Sequence, residues 1–163
     1  MTVRLATIEN GTFNPFEVHP QLREIWPEPY AREAEIASHV DAHSGQILYI
    51  LNDGTVVGIT GIFFDDKSPK DVFLRWSGII PMYRRQHLMT QAFEHLLRLI
   101  IGLCPERERL IELVPDNEYG HNVALPFFLD AGFEKDPAFQ DAVNIPEGEG
   151  ADWPVFPVVF DLR

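Results

Sequence analysis

The sequence predicts a mixed α/β (α+β) fold, with a mostly antiparallel central sheet flanked by about four helices. Three observations predict it. Two β-rich runs flank Asn52-Asp53-Gly54, the residue chemistry of a tight hairpin. Leu88, Ala92, Leu96, Leu99, Ile100 and Leu103 recur at three- and four-residue intervals, the period of an amphipathic helix. Short apolar, β-rich runs begin and end the chain and alternate with helical patterns between. The 163 residues, 45% hydrophobic and 23% charged, suit a single globular domain over 1–163.

Taken in order, VRLATI from Val3 to Ile8 reads as a strand. Asn14-Pro15 opens a helical stretch whose apolar face is Phe16, Leu22, Ile25 and Trp26, and Pro27 and Pro29 interrupt it. A second helix spans Ala31 to His43. The hairpin follows, and Asp71 to Ile80 supplies a third strand after the polar Lys67-Ser68-Pro69-Lys70 turn, completing an antiparallel meander that Pro81 ends. The long helix stops before Pro105. RLIELV, from Arg109 to Val114, is a further strand. A polar loop, PDNEYGHN, then leads to a short helix from Val123 to Ala131 with Gly132 as its C-cap, and Phe133 resumes extended structure. An acidic loop rich in proline and glycine, Asp136 to Asp152, precedes a terminal strand from Pro154 to Leu162, where Pro157 favours an edge position.

Charge narrows the partners. Asp and Glu number 25 against 13 Lys and Arg, a formal net charge of -12 that repels phosphate backbones and attracts cations. No nucleic-acid partner is expected. Nor is a membrane partner: no run approaches the roughly 18 apolar residues that span a bilayer, and the N-terminus lacks a signal-peptide core, so a soluble cytoplasmic protein is expected. The single cysteine, Cys104, excludes an intramolecular disulfide and multi-cysteine metal sites, and its apolar setting points to packing rather than nucleophilic catalysis. His19, His39 and His43 bring no third ligand, so no metal is expected.

One stretch reverses the charge. Between Leu74 and Leu103 stand Arg75, Arg84, Arg85 and Arg98 against the single acid Glu94. This basic island contains the junction from strand to long helix, Pro81-Met82-Tyr83-Arg84-Arg85-Gln86-His87-Leu88-Met89. A turn entering a helix has free N–H groups and a favourable dipole for an anion.

The junction resembles the signature of the GNAT N-acetyltransferase superfamily: a proline, an aromatic residue, then Arg/Gln-x-x-Gly-x-Gly/Ala. Ala124, Phe128, Gly132 and Phe133 reproduce the spacing of the family's second conserved region. Two departures stand out. His87 and Met89 occupy the two glycine positions; the N–H groups remain usable if these residues keep the ordinary φ and ψ of a helix start. Phe128 stands where many members carry a tyrosine that protonates the departing thiolate.

The resemblance implies an N-acetyltransferase that moves an acetyl group from acetyl-CoA, without a metal, to a primary amine of a small molecule, peptide or protein by direct attack. The alternative is a catalytically impaired acyl-CoA-binding or regulatory module of the same fold. It also implies a coenzyme site at Gly78, Ile79 and Ile80, which pair with the pantetheine arm, with Arg84, Arg85, Gln86, His87, Leu88 and Met89 at the pyrophosphate, and with Asn122 and Phe128. Trp26 and Tyr30 would border the acceptor, and the acids near them favour a cationic amine. A homodimer is possible by the same analogy. Among the residues themselves, Glu112 interrupts an apolar strand, where burial raises a carboxylate pKa toward neutrality; it reads either as a general base or as an outward-facing surface glutamate. Tyr119 and His121, in the loop that follows, are candidates to accept a proton or shape the amine pocket.

Overall fold

The computed structural model describes residues 2–8, 14–28, 30–39, 45–74, 76–135 and 155–163, with backbone alone at 33 and 36–39. The predicted loop from Asp136 to Asp152, together with Pro29, His43, Arg75, Trp153 and Pro154, lies outside the described residues. Contacts divide the chain into two compact units, Met1–Phe63 with Arg75–Leu103, and Phe64–Leu74 with Cys104–Arg163.

In the first unit, β1 (Val3–Thr7), β2 (Gly45–Asn52) and β3 (Thr55–Phe63) pair antiparallel in sequence order. Asp53 and Gly54 turn the hairpin at φ 50° and 85°, left-handed values that Asp tolerates and Gly prefers. Successive strand residues face opposite ways, and the two faces are covered differently. Ile50 and Val57 join Leu88 and Ala92 of α3 (Leu88–Leu103) in one buried cluster. On the other face, Tyr49 meets the His19 ring edge-on at 5.2 Å.

The stretch expected to be one helix after Asn14 is two short pieces. Helix α1 (Pro15–Val18) is capped by the Asn14 side chain, which accepts from Phe16 N at 2.9 Å, and a 3-10 turn follows from Pro20 to Glu24. Pro20 has no N–H to continue an α-helix and its ring clashes one turn back, so the chain re-forms as a tighter helix. The predicted apolar face survives this break: Phe16, Leu22, Ile25 and Trp26 are all buried. Helix α2 covers Tyr30–His39, one residue earlier than expected at its start.

The expected ten-residue third strand is also two. Strand β4 (Asp71–Leu74) belongs to the second unit, and β5 (Gly78–Ile79) pairs antiparallel with β3 in the first. A glycine permits the second pairing: a Cβ on Gly58 would overlap the carbonyl of Gly78, so β3 tolerates no larger residue there. In the strand order β4 follows β3, and β5 pairs with β3 as well.

In the second unit, β4 runs parallel to β6 (Arg109–Pro115), and β7 (Val155–Asp161) runs antiparallel to β6. Parallel pairing needs a long connection, which residues 75–108 supply. Seven strands with one parallel pairing among those described make the mixed, mostly antiparallel α/β architecture expected, with four α-helices. Pro157 pairs on the β6 side, and opposite β6 the only partner of β7 among the described residues is the bridge Glu134 to Val159. Phe133 thus resumes extended structure only at that bridge.

The register of β4 on β6 is held by charge. Arg109 grips Asp71 with Nε at 2.6 Å and Nη2 at 2.9 Å, and Asp71 is 2% exposed. Arg107 Nη1 donates to the Asp71 carbonyl at 3.0 Å and its guanidinium lies 4.8 Å from the Phe64 ring. Helical structure after β6 begins at residue 118, before the expected start at Val123; a π-turn (Gly120–Ala124) leads into α4 (Leu125–Asp130). Gly132, at φ 106°, closes it in a Schellman arrangement, with Gly132 N bonded to Leu129 O at 3.1 Å and Phe133 N to Phe128 O at 2.9 Å.

Truncating one partner of a buried ion pair leaves the other uncompensated. Asp71→Ala is expected to lower stability by about 3 kcal/mol, read as a lower urea midpoint at unchanged slope.

Candidate functional site

The first unit carries the anion-binding candidate. Strand β5 ends at Ile79, Ile80 N bonds back to Val57 O at 2.8 Å, and a 3-10 turn (Pro81–Tyr83) delivers the chain to Arg84. The residues from Arg84 to His87 are all exposed, and Leu88, 2% exposed, anchors the start of α3. The helix proper begins to satisfy itself at Gln91, whose N bonds to His87 O at 3.2 Å; the N–H groups of Leu88, Met89 and Thr90 precede any intrahelical acceptor. No acid lies in the first turn to compete for them. Gly78, Ile79, Ile80 and the run from Arg84 to Met89 are therefore contiguous, as the sequence implied.

The backbone differs from expectation. Arg85 and His87 lie at φ 65° and 58°, in the left-handed region. His87 thus takes a conformation that glycine adopts without strain, while Met89 is helical and has no need of one. Arg85, which the sequence did not flag, is the second position with this demand. Each such L-residue costs roughly 1–2 kcal/mol, and no local pattern in the sequence announces it.

Arg84 is placed less as a free charge than as a tie. Its Nε donates to Ile79 O at 3.0 Å and its Nη2 to Ile25 O at 2.7 Å. Trp26, 7% exposed, packs edge-to-face on Trp76 at 5.3 Å and tilted on Phe16 at 6.5 Å, and Tyr30 is 8% exposed. Both candidate acceptor residues are buried, and Trp26 lies beside Gly78 of β5.

The second unit carries the proton-transfer candidates. Glu112 sits on β6 opposite Val158, half-buried, with Oε2 withdrawn from solvent. At the end of β6, Gly120 brings the π-turn against the strand: a Cβ there would overlap the Pro115 carbonyl. Gly120 N donates to Asn117 Oδ1 at 2.9 Å. His121 follows, with Nε2 2.7 Å from Asp116 Oδ1 and its ring stacked on Phe156 at 5.1 Å. Tyr119 is half-buried beside it and Asn122 is exposed. Sequence reasoning singled out His121 but not the carboxylate that orients it, five residues upstream.

Phe128 is 7% exposed and meets Phe127 and Phe133 edge-on at 5.2 Å, so it is a packing residue. Burial pushes the Cys104 thiol up from its ordinary value, and Glu106 adds to the shift against Arg107. No cluster of three metal-ligating side chains occurs among the described residues, and none of their helices is long and apolar enough to cross a membrane.

The family model described as the acetyltransferase (GNAT) family matches residues 13–133. Solved structures share the fold at low identity. A PaiA N-acetyltransferase from Thermoplasma acidophilum in complex with coenzyme A is 11% identical, with a TM-score of 0.63 and 99% of each chain covered. A spermidine N-acetyltransferase chimera from Vibrio cholerae is 12% identical, with a TM-score of 0.66 over 99% of this chain and 96% of that one. A GNAT acetyltransferase from Elizabethkingia anophelis with acetyl-CoA bound is 14% identical, with a TM-score of 0.57 over 96% and 95%. No curated protein matches the sequence.

Two outcomes test these placements. His87→Gly is expected to raise stability by about 0.5–1 kcal/mol, because relief of left-handed strain exceeds the entropy glycine adds to the unfolded chain; a urea melt reads it. Cys104, with its thiol pushed up, is expected to alkylate more slowly than a free cysteine near pH 8, and Cys104→Ser to leave acyl transfer unchanged.

Proposed function

On the premise that the chain belongs to the GNAT acetyltransferase family, we propose that residues 1–163 act as one acetyl-CoA-dependent N-acetyltransferase domain for a primary amine, cationic by preference. The observation that carries this reading is the turn from Ile80 to Leu88. It combines residues exposed from Arg84 to His87 with helix-start N–H groups that precede any intrahelical acceptor, the N-terminus of α3 and no acid in its first turn.

Acetyl-CoA supplies the activated acetyl group. Backbone at Gly78, Ile79 and Ile80 holds the pantetheine arm as an added strand, and the run from Arg84 to Met89 holds the pyrophosphate. Asn122, exposed, completes the coenzyme contacts. The amine must be neutral to attack. His121 suits proton removal: in the tautomer whose Nε2 donates to Asp116, the lone pair a base needs lies on Nδ1. Glu112 is the second candidate base, and Tyr119 a candidate to accept a proton or shape the amine pocket. The net charge of -12 and the Vibrio relative named for spermidine support a cationic acceptor. A cytoplasmic setting and a homodimer belong to the same proposal.

The substitutions at the motif support a second reading, an acyl-CoA-binding module with little turnover. His87 and Arg85 carry side chains in glycine conformations, and Phe128 has no proton to give.

Calorimetric titration with acetyl-CoA, with ATP as control, tests the site common to both readings, and turnover of a polyamine acceptor separates them. Micromolar binding of acetyl-CoA but not ATP is expected, and no binding at millimolar ligand overturns both readings. With a polyamine acceptor, His121→Gln is expected to lower kcat about 10²-fold or more, within the usual range for a lost general base, with acetyl-CoA affinity kept. If Glu112→Gln instead removes the acidic limb of the rate profile, Glu112 is the base.

A further inference from the structure

The exposed turn contains two adjacent arginines, and the geometry separates their roles. Arg85 makes no hydrogen bond or ion pair among the described residues, and its side chain is exposed. The Arg84 guanidinium spans two carbonyls from segments far apart in sequence: Ile79, the last residue of β5, and Ile25, which closes the 3-10 turn. A second observation marks the same meeting point. A Cβ on Gly78 would overlap Ile25 Cγ2, and Trp26 Cζ2 lies 3.7 Å from that position. Two segments are thus brought into direct packing where a planar, forked donor fits two acceptors at once.

We infer that Arg84 is a positioning residue: it ties the Ile25–Trp26 segment to the end of β5 and so sets the left-handed turn at Arg85 and His87 in its anion-binding shape. Arg85 supplies the charge that an anion meets. A guanidinium is required because its donors diverge in a fixed plane, whereas a lysine ammonium is a point donor on a flexible stem and reaches one carbonyl at a time. Leaving the Ile25 and Ile79 carbonyls without their donor loosens the turn without removing a charge from the anion. The consequence for coenzyme affinity rests on the acetyl-CoA reading given above; the tie itself does not.

The test compares Arg84→Lys, Arg84→Ala and Arg85→Ala by acetyl-CoA titration at several salt concentrations. Both Arg84 variants are expected to weaken binding by about tenfold, the scale of a lost charged hydrogen bond, with the salt dependence of the wild type. Arg85→Ala is expected to flatten the salt dependence, because a screened charge contact has gone. If Arg84→Lys binds as the wild type does and Arg84→Ala flattens the salt dependence, Arg84 is an anion contact and the inference is overturned. Amide hydrogen exchange on the free protein reads the tie independently of any ligand. Arg84→Lys is expected to speed exchange across residues 22–28 and 78–84, and unchanged exchange there overturns the inference whatever the coenzyme result. Absence of acetyl-CoA binding by the wild type, with faster exchange in Arg84→Lys, supports the tie and removes the coenzyme reading instead.

Discussion

The chain leaves its sheet after only two paired residues in β5 and must enter a sixteen-residue helix within a few more. That corner constrains the first unit, because each backbone donor and acceptor it frees needs a partner or water. Ile80 N returns to Val57, Tyr83 N to Ile80 O and Arg84 N to Pro81 O, and the Ile79 carbonyl is taken by the Arg84 side chain. The same guanidinium reaches Ile25, so the corner also holds the 3-10 turn against the sheet. Two left-handed residues then aim the chain into α3, whose Leu88 and Ala92 close the core beneath. The N–H groups of Leu88, Met89 and Thr90, which precede any intrahelical acceptor, are a by-product of this geometry, and they are what an anion can use.

The second unit rests on a different device. The charge of Asp71, almost fully buried, is matched by both donors of Arg109, which fixes the parallel register of β4 on β6. A buried pair of this kind specifies an arrangement more than it adds stability, since desolvation offsets much of the attraction. At the far end of β6, Gly120 permits a turn that any side chain would block, and His121 emerges beside Asp116. Strand, glycine and acid together orient one imidazole.

Membership in the GNAT acetyltransferase family joins these two sets of residues to one class of chemistry. His87 and Met89 stand at the two glycine positions of the motif that the junction resembles. His87 adopts the glycine conformation at a cost in strain, and Phe128 fills its place with packing in an aromatic cluster. Both keep the shape of the motif. The proposed chemistry accordingly relies on main-chain groups and on His121 or Glu112.

Much of the architecture was legible in the residues. The hairpin at Asn52-Asp53-Gly54, the 3.6-residue stripe from Leu88 to Leu103, the Gly132 cap and the burial of Phe16, Leu22, Ile25 and Trp26 follow from local rules of turn chemistry and periodicity. The motif spacing around Arg84 and Ala124 carried the family. Local rules fail where a segment's partner is distant in sequence. They could not show that Asp71 to Ile80 breaks into two strands, because the close approach of Gly58 to the Gly78 carbonyl involves both strands. Nor could they show Arg84 bonding to Ile25, the left-handed φ of Arg85 and His87, or Asp116 beside His121. By itself the sequence determined the periodicities, the turns and the motif. The tertiary structure alone decided which carbonyls, charges and backbone angles meet, because those are set by packing between residues that no spacing in the chain relates.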